Sequence, residues 1–114
     1  MNHLSEKKAS DNDFLDFINY ADYKTIKSLL EYYIVLEDKI AKGNTLWGSI
    51  KCDLDKAIEN INLTDKQRFC INCFMYKNKL KDISLELNCS YIKVGRYIIT
   101  AIKEISKYLS SKQE

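Results

Sequence analysis

Residues 80–98, LKDISLELNCSYIKVGRYI, decide the fold of this chain. Apolar residues recur every three or four positions on both sides of Asn88, which predicts two helices separated by a very short turn. Helices joined so tightly cross steeply, and the crossing needs a small residue, a turn residue that tolerates positive φ, and a compact residue facing back. The residues that meet these needs are Ser84, Asn88 and Val94. The stretch therefore predicts a helix-turn-helix within a small all-α protein.

The remainder of the chain is also expected to be mostly helical, because it has no proline and only three glycines. Asp22 is a suitable N-cap for one helix over residues 22–41, and Gly43 marks the turn that follows it. Thr64 and Gln67 have the spacing of a capping box, which predicts a further helix start. A short helix before residue 20 is predicted to carry Phe14, Leu15, Phe17 and Ile18.

Residues 22–41 carry an apolar stripe at spacings of three and four, as in helices that pair with another helix. The stripe consists of Ile26, Leu29, Tyr33, Leu36 and Ile40. A second apolar face lies beside it, so this segment needs more than one packing partner. Two interpretations stay open: the stripe packs against the rest of the domain, or it forms a homodimer contact through residues 22–41.

The charge of the chain is unevenly distributed. The 114 residues have a net charge of +2, with 46% hydrophobic and 30% charged residues, an ordinary globular balance. Residues 1–63 carry 8 basic and 11 acidic side chains, whereas residues 64–114 carry 10 basic and 5 acidic ones. A basic C-terminal half is suited to a polyanion such as double-stranded DNA. No apolar run is long enough for a membrane span or a signal peptide, so we expect a cytoplasmic protein with no membrane contact.

The cysteines form no convincing metal or redox motif. Cys70 and Cys73 are one helical turn apart, but a structural zinc site needs further ligands, and Cys52, Cys89 and His3 stand alone in the sequence. We therefore expect core cysteines and no metal or other cofactor. No carboxylate pair, glycine-rich phosphate loop or nucleophile with a neighbouring base is evident, which argues against an enzyme.

A family resemblance covers about half of the chain. The stretch LTDKQRFCINCFMYKNKLKDISLELNCSYIKVGRYIITAIKEISKYL, residues 63–109, resembles region 4 of sigma-70-type sigma factors. It is most similar to the small region 4-like regulators of phages and mobile elements of Gram-positive bacteria, and DLDKAIENI fits the helix that leads into this region. Residues 1–45 show no resemblance to sigma region 2.

The resemblance implies an organisation and a function. Residues 46–114 are expected to form a helix-turn-helix DNA-binding domain, and residues 1–45 an N-terminal helical segment for packing or dimerisation. The protein would then bind double-stranded DNA as a sequence-specific transcription regulator and contact RNA polymerase. The sequence departs from the family pattern at Ser84 and Asn88, where Ala and Gly are usual. It also has Gly95 and Arg96 where two basic residues often follow the valine.

The second helix of the motif is expected to enter the major groove. Arg96 is the candidate base reader, because its fork matches guanine, and Ile92 or the Tyr91 ring could contact a thymine methyl group. Ser90, as N-cap, and Lys79 and Lys81 are expected to hold phosphates. The full set of predicted DNA-binding residues is Lys79, Lys81, Ser90, Tyr91, Ile92, Lys93, Arg96, Thr100 and Lys103.

Structural roles are the alternatives for several of these residues. Ile92 and Ile99 could instead pack against the N-terminal helices. For Arg68, which occupies a position that is often Arg in region 4, we expect an ion pair with Glu59 or Asp65. Two other functions also stay open: a DNA-recognition subunit of a phage packaging machine, similar to a small terminase, and a protein-interaction module that has lost its DNA contacts.

Overall fold

The structure, a computed structural model, describes residues 18–112 as an all-α fold, which confirms the predicted class. No strand occurs in this part of the chain. The helices are α1 Tyr23–Glu31, α2 Tyr33–Ala41, α3 Gly48–Asn60, α4 Asp65–Met75, α5 Leu80–Leu87 and α6 Tyr91–Lys112, with a 3-10 turn at Thr45–Trp47. The short helix predicted around Phe14, Leu15 and Phe17 lies outside the described residues.

The predicted helix over residues 22–41 is in fact two helices. Asp22 caps α1 as expected, since its side chain accepts a hydrogen bond from the Lys24 amide. The chain then bends at Tyr32, where ψ is 0°. The reason lies in the packing, because α1 packs against α4 and α6, whereas α2 packs against α3 and the 3-10 turn. The interruption at Tyr32 thus separates two helices that have different packing partners.

The apolar stripe of residues 22–41 belongs to the protein's own core. Four of its members are buried and the fifth, Ile40, is half-buried. The buried members are Ile26, Leu29, Tyr33 and Leu36. They join one hydrophobic cluster with residues of the other helices, which favours the packing interpretation. A homodimer contact on this stripe would have to displace the core, and only Ile34 and Val35 of α2 remain exposed as large apolar residues.

The turn between α5 and α6 has the predicted left-handed residue. Asn88 has φ 53° and ψ 51°, a conformation that Asn tolerates better than other side-chain-bearing residues. The Cys89 amide donates to the Ser84 carbonyl at 3.0 Å and the Asn88 amide donates to the Leu85 carbonyl at 3.3 Å. These two bonds form a Schellman motif, which ends α5 at Leu87. The next helix, α6, begins at Tyr91.

Two more local predictions are confirmed. Gly43 has φ 94°, as expected for the turn after α2. Thr64 and Gln67 form the capping box of α4, with side-chain to backbone hydrogen bonds of 3.1 and 3.0 Å. The end of α2 and the start of α4 are therefore determined by residues within the turn and the cap themselves.

The prediction that Arg68 forms an ion pair with Glu59 or Asp65 is wrong. Its guanidinium donates to the backbone carbonyl of Ile58 and, at 3.1 Å, to that of Ile61. Both carbonyls lie at the C-terminal end of α3, where helical carbonyls lack intrahelical partners. A guanidinium presents several donors in one plane and can satisfy two such carbonyls at once. Arg68 thereby fastens α4 to the end of α3.

The cysteines are only partly where the sequence placed them. Cys70 is completely buried, whereas Cys73 and Cys89 are half-buried and Cys52 is exposed. Burial raises the pKa of the Cys70 thiol to about 11. Among residues 18–112 no three His, Cys, Asp or Glu side chains converge in a way that could hold a metal ion.

Candidate nucleic-acid interface

The outward face of α6 is a continuous exposed stripe. Its residues recur at spacings of four, three and four, and a helix turns about 100° per residue, so they line up along the helix axis. The stripe consists of Ile92, Arg96, Ile99 and Lys103, all of them exposed. The opposite side of α6 is buried in the core through Val94, Ile98, Ala101, Ile102 and Ile105. The core therefore fixes the rotation of α6 and with it the direction of the stripe.

The N-terminus of α6 is also accessible. The Ser90 hydroxyl accepts a hydrogen bond from the Lys93 amide at 3.2 Å, which is the N-cap predicted for it. Tyr91 is 55% exposed and Ile92 70% exposed. Within residues 18–112, Ile92 and Ile99 are therefore exposed and not covered by α1 or α2, which goes against one structural alternative raised by the sequence.

The start of α5 contributes two lysines. Lys79 is the N-cap residue of α5 and Lys81 lies in its first turn, and both are exposed. The Ser84 hydroxyl donates to the Lys81 carbonyl at 2.8 Å, and Ser84 itself is buried where α5 packs against α6. The first turn of α5 also carries the exposed acidic residue Asp82.

The basic side chains of this surface have no acidic partners among the described residues. The ion pairs found within residues 18–112 are Lys42 with Asp38 and Lys51 with Asp55, both remote in sequence from α5 and α6. All nine residues that the sequence predicted for DNA binding are exposed. We use the name recognition surface for them: Lys79, Lys81, Ser90, Tyr91, Ile92, Lys93, Arg96, Thr100 and Lys103. A polyanion would supply the counter-charges that these lysines and Arg96 lack.

A second group of polar residues was missed by the sequence analysis. The Tyr33 hydroxyl donates to one carboxylate oxygen of Asp55 and Lys51 donates to the other at 2.8 Å. The Tyr76 hydroxyl donates to Glu37 at 3.2 Å, and the rings of Tyr33 and Tyr76 meet edge to face. Burial and the Asp55 carboxylate raise the pKa of Tyr33, so its phenol stays protonated.

This polar group lines an open groove of about 550 Å³ between α2, α3 and α4. The bond from Tyr33 to Asp55 links α2 with α3. The bond from Tyr76 to Glu37 links the end of α4 with α2. No signal in the sequence could have identified the group, because Tyr33 and Asp55 are 22 residues apart and Tyr76 and Glu37 are 39 apart. We interpret it as a structural brace.

Comparison of the chain with protein-family models, with curated proteins and with solved structures gives no match. Within residues 18–112, none of the helices combines the length and the apolar composition required to cross a bilayer.

Proposed function

We propose that the protein is a sequence-specific DNA-binding transcription regulator with a helix-turn-helix similar to sigma region 4. The observation that supports it best is the outward stripe of α6, which exposes Arg96 between two apolar residues with no acidic partner within residues 18–112. In this proposal α6 enters the major groove, Arg96 reads a guanine, and Lys93 contacts a base or a phosphate. Residues around the start of α5 hold the phosphate backbone.

The family resemblance suggests the cellular setting of this activity. Region 4-like regulators act on promoter DNA in the cytoplasm and touch RNA polymerase, and we include both in the proposal. The described N-terminal helices leave the recognition surface uncovered, and most of their apolar residues lie in the core. Of these helices, α1 packs against α6 and so supports the surface from the buried side of that helix.

Salt dependence tests the proposal. With Lys93 on a phosphate rather than a base, four lysines of the recognition surface contact phosphates: Lys79, Lys81, Lys93 and Lys103. Four phosphate contacts imply a slope of about −3.6 in a plot of log K against log salt, or a loss of about 100-fold between about 50 and 200 mM salt. Fluorescence anisotropy with labelled duplexes measures this slope. Absent binding at low salt, or binding that salt leaves unchanged, contradicts the proposal.

Matched variants separate base reading from phosphate contact. Arg96→Ala should reduce discrimination between duplexes by about 1–3 kcal/mol while it leaves weak binding to any DNA. Lys93→Ala, if Lys93 holds a phosphate, should weaken binding to all duplexes and make the slope shallower by about 0.9. Lys27→Ala, an exposed lysine on α1, is the control and should change neither. Equal behaviour of Arg96→Ala and Lys27→Ala argues against a reading role for α6.

A protein-interaction module is the second candidate function. Leu85 and Ile92 are each 70% exposed, and large exposed apolar side chains are common where proteins meet. This candidate predicts that Arg96→Ala and Lys93→Ala leave function unchanged, whereas Leu85→Ala impairs it. The same set of variants therefore distinguishes the two candidates.

A further inference from the structure

Two exposed isoleucines flank the arginine on α6. Ile92 precedes Arg96 by one helical turn and Ile99 follows it by about one turn, so the three lie in a row along the outward stripe. Ile92 is 70% and Ile99 43% exposed, although the buried side of the same helix carries three further isoleucines. The exposed pair contributes little to the core and leaves apolar surface in water, which is unfavourable unless a partner covers it.

The order of side chains along the stripe specifies what such a partner would present. A guanidinium pairs with the O6 and N7 acceptors of guanine, whereas the only apolar group at the floor of the major groove is the C5-methyl of thymine. We propose that α6 reads a guanine flanked on both sides by thymines, and that Ile92 and Ile99 each cover one thymine methyl group. This inference rests on the proposed DNA-binding function and names the base sequence which that function would select.

The helix geometry sets the length of the reading window. Ile99 lies seven positions after Ile92, which corresponds to about 10 Å along a helix axis at 1.5 Å per residue. Stacked bases are about 3.4 Å apart along a strand, so the two isoleucines span about three base-pair steps. Arg96 lies between them and nearer to Ile99. The inferred core of the binding site is therefore about four base pairs long, with the guanine inside it.

The Tyr91 ring is not part of this reading row. Tyr91 precedes Ile92 by one position and is therefore rotated by about 100° from the stripe, toward the side of Val94 and Ile98. It is exposed at the first position of α6. Of the two residues that the sequence offered for a methyl contact, the geometry favours Ile92.

Deoxyuridine substitution tests the inference, because deoxyuridine differs from thymidine in DNA only by the missing C5-methyl. Duplexes enriched from a randomised pool by the full chain supply the probe, and each thymine of the enriched site is replaced in turn. We expect the affinity to fall about fourfold at two positions, one on each side of a guanine. This factor corresponds to the free energy of burying one methyl group. With Ile92→Ala, one of these two losses should disappear.

Leu85→Ala is the matched control, since Leu85 is as exposed as Ile92 but lies on α5. It should keep both losses, as the wild-type chain does. Selective binding without any deoxyuridine effect, or the same effect in Ile92→Ala as in the wild type, overturns thymine reading but leaves DNA binding intact. Loss of the effect in Leu85→Ala also overturns it. Absent or salt-independent binding overturns the proposed function itself.

Discussion

Gly95 offers a test that separates the stability of α6 from its proposed contact with DNA. It is the fifth residue of α6, and glycine in a helix interior costs about 1 kcal/mol relative to alanine. A Cβ built at this position meets nothing within 4 Å in the protein. Gly95→Ala should therefore raise the free energy of unfolding by about 1 kcal/mol, which corresponds to a rise in Tm of about 4–8 °C.

The same variant should bind DNA more weakly. The protein's own packing accepts a side chain at residue 95. In our proposal, glycine at this position allows the DNA to approach the backbone of α6 closely, and a Cβ would hinder that approach. Thermal unfolding and anisotropy on one preparation measure both effects. Gly48→Ala is the control, because its Cβ also meets nothing within 4 Å and it begins α3. A stabilised Gly95→Ala variant with unchanged DNA affinity would refute the reasoning.

Four further predictions concern single side chains of the fold. Arg68→Met should lower the free energy of unfolding by about 1.5–3 kcal/mol in urea denaturation, because two carbonyls at the end of α3 lose a charged donor; a change below about 0.5 kcal/mol contradicts this role. Asn88→Ala should cost about 1–2 kcal/mol in thermal unfolding, whereas Asn88→Gly should be nearly neutral, since only the left-handed backbone is at stake; equal effects would contradict that account. A thiol reagent at about pH 8 should label the exposed Cys52 quickly and Cys70 only after unfolding, as mass spectrometry of the labelled peptides would show. Because the folded-state pKa of Cys70 is raised to about 11, its contribution to stability should be complete at neutral pH and be lost as the pH rises from about 9 through 11.

The features that could be predicted from the sequence are those decided within a few residues. The left-handed turn at Asn88, the capping box at Thr64 and the N-cap at Asp22 each depend on one side chain and the backbone beside it. The buried side of α6 follows in the same way from the spacing of its isoleucines, which fixes the opposite side as the outward one. The outward position of Ile92, Arg96 and Lys103 on α6 could be predicted in this way.

The features that could not be predicted depend on which helices meet. The break at Tyr32 arises because α1 and α2 have different packing partners, and the periodicity of residues 22–41 contains no record of that difference. Arg68 has carboxylates nearby in sequence, but the folded chain offers it two unpaired carbonyls instead. The exposure of Ile92 and Ile99 likewise depends on whether the N-terminal helices cover them, which the sequence does not specify.

The two halves of α6 have different tasks, and this makes the interface experimentally separable from the fold. Its second half holds most of its buried residues, and there the Ser106 hydroxyl also donates to the Tyr20 carbonyl at 2.6 Å. The first half faces the core through Val94, Ile98 and Ala101, with Tyr97 packed at its edge, and most of its other side chains are exposed. Substitutions at Arg96 or Ile92 remove no core contact, so their free energies of unfolding should stay close to that of the wild-type chain. A loss of DNA binding in such variants then measures the interface and not a damaged fold.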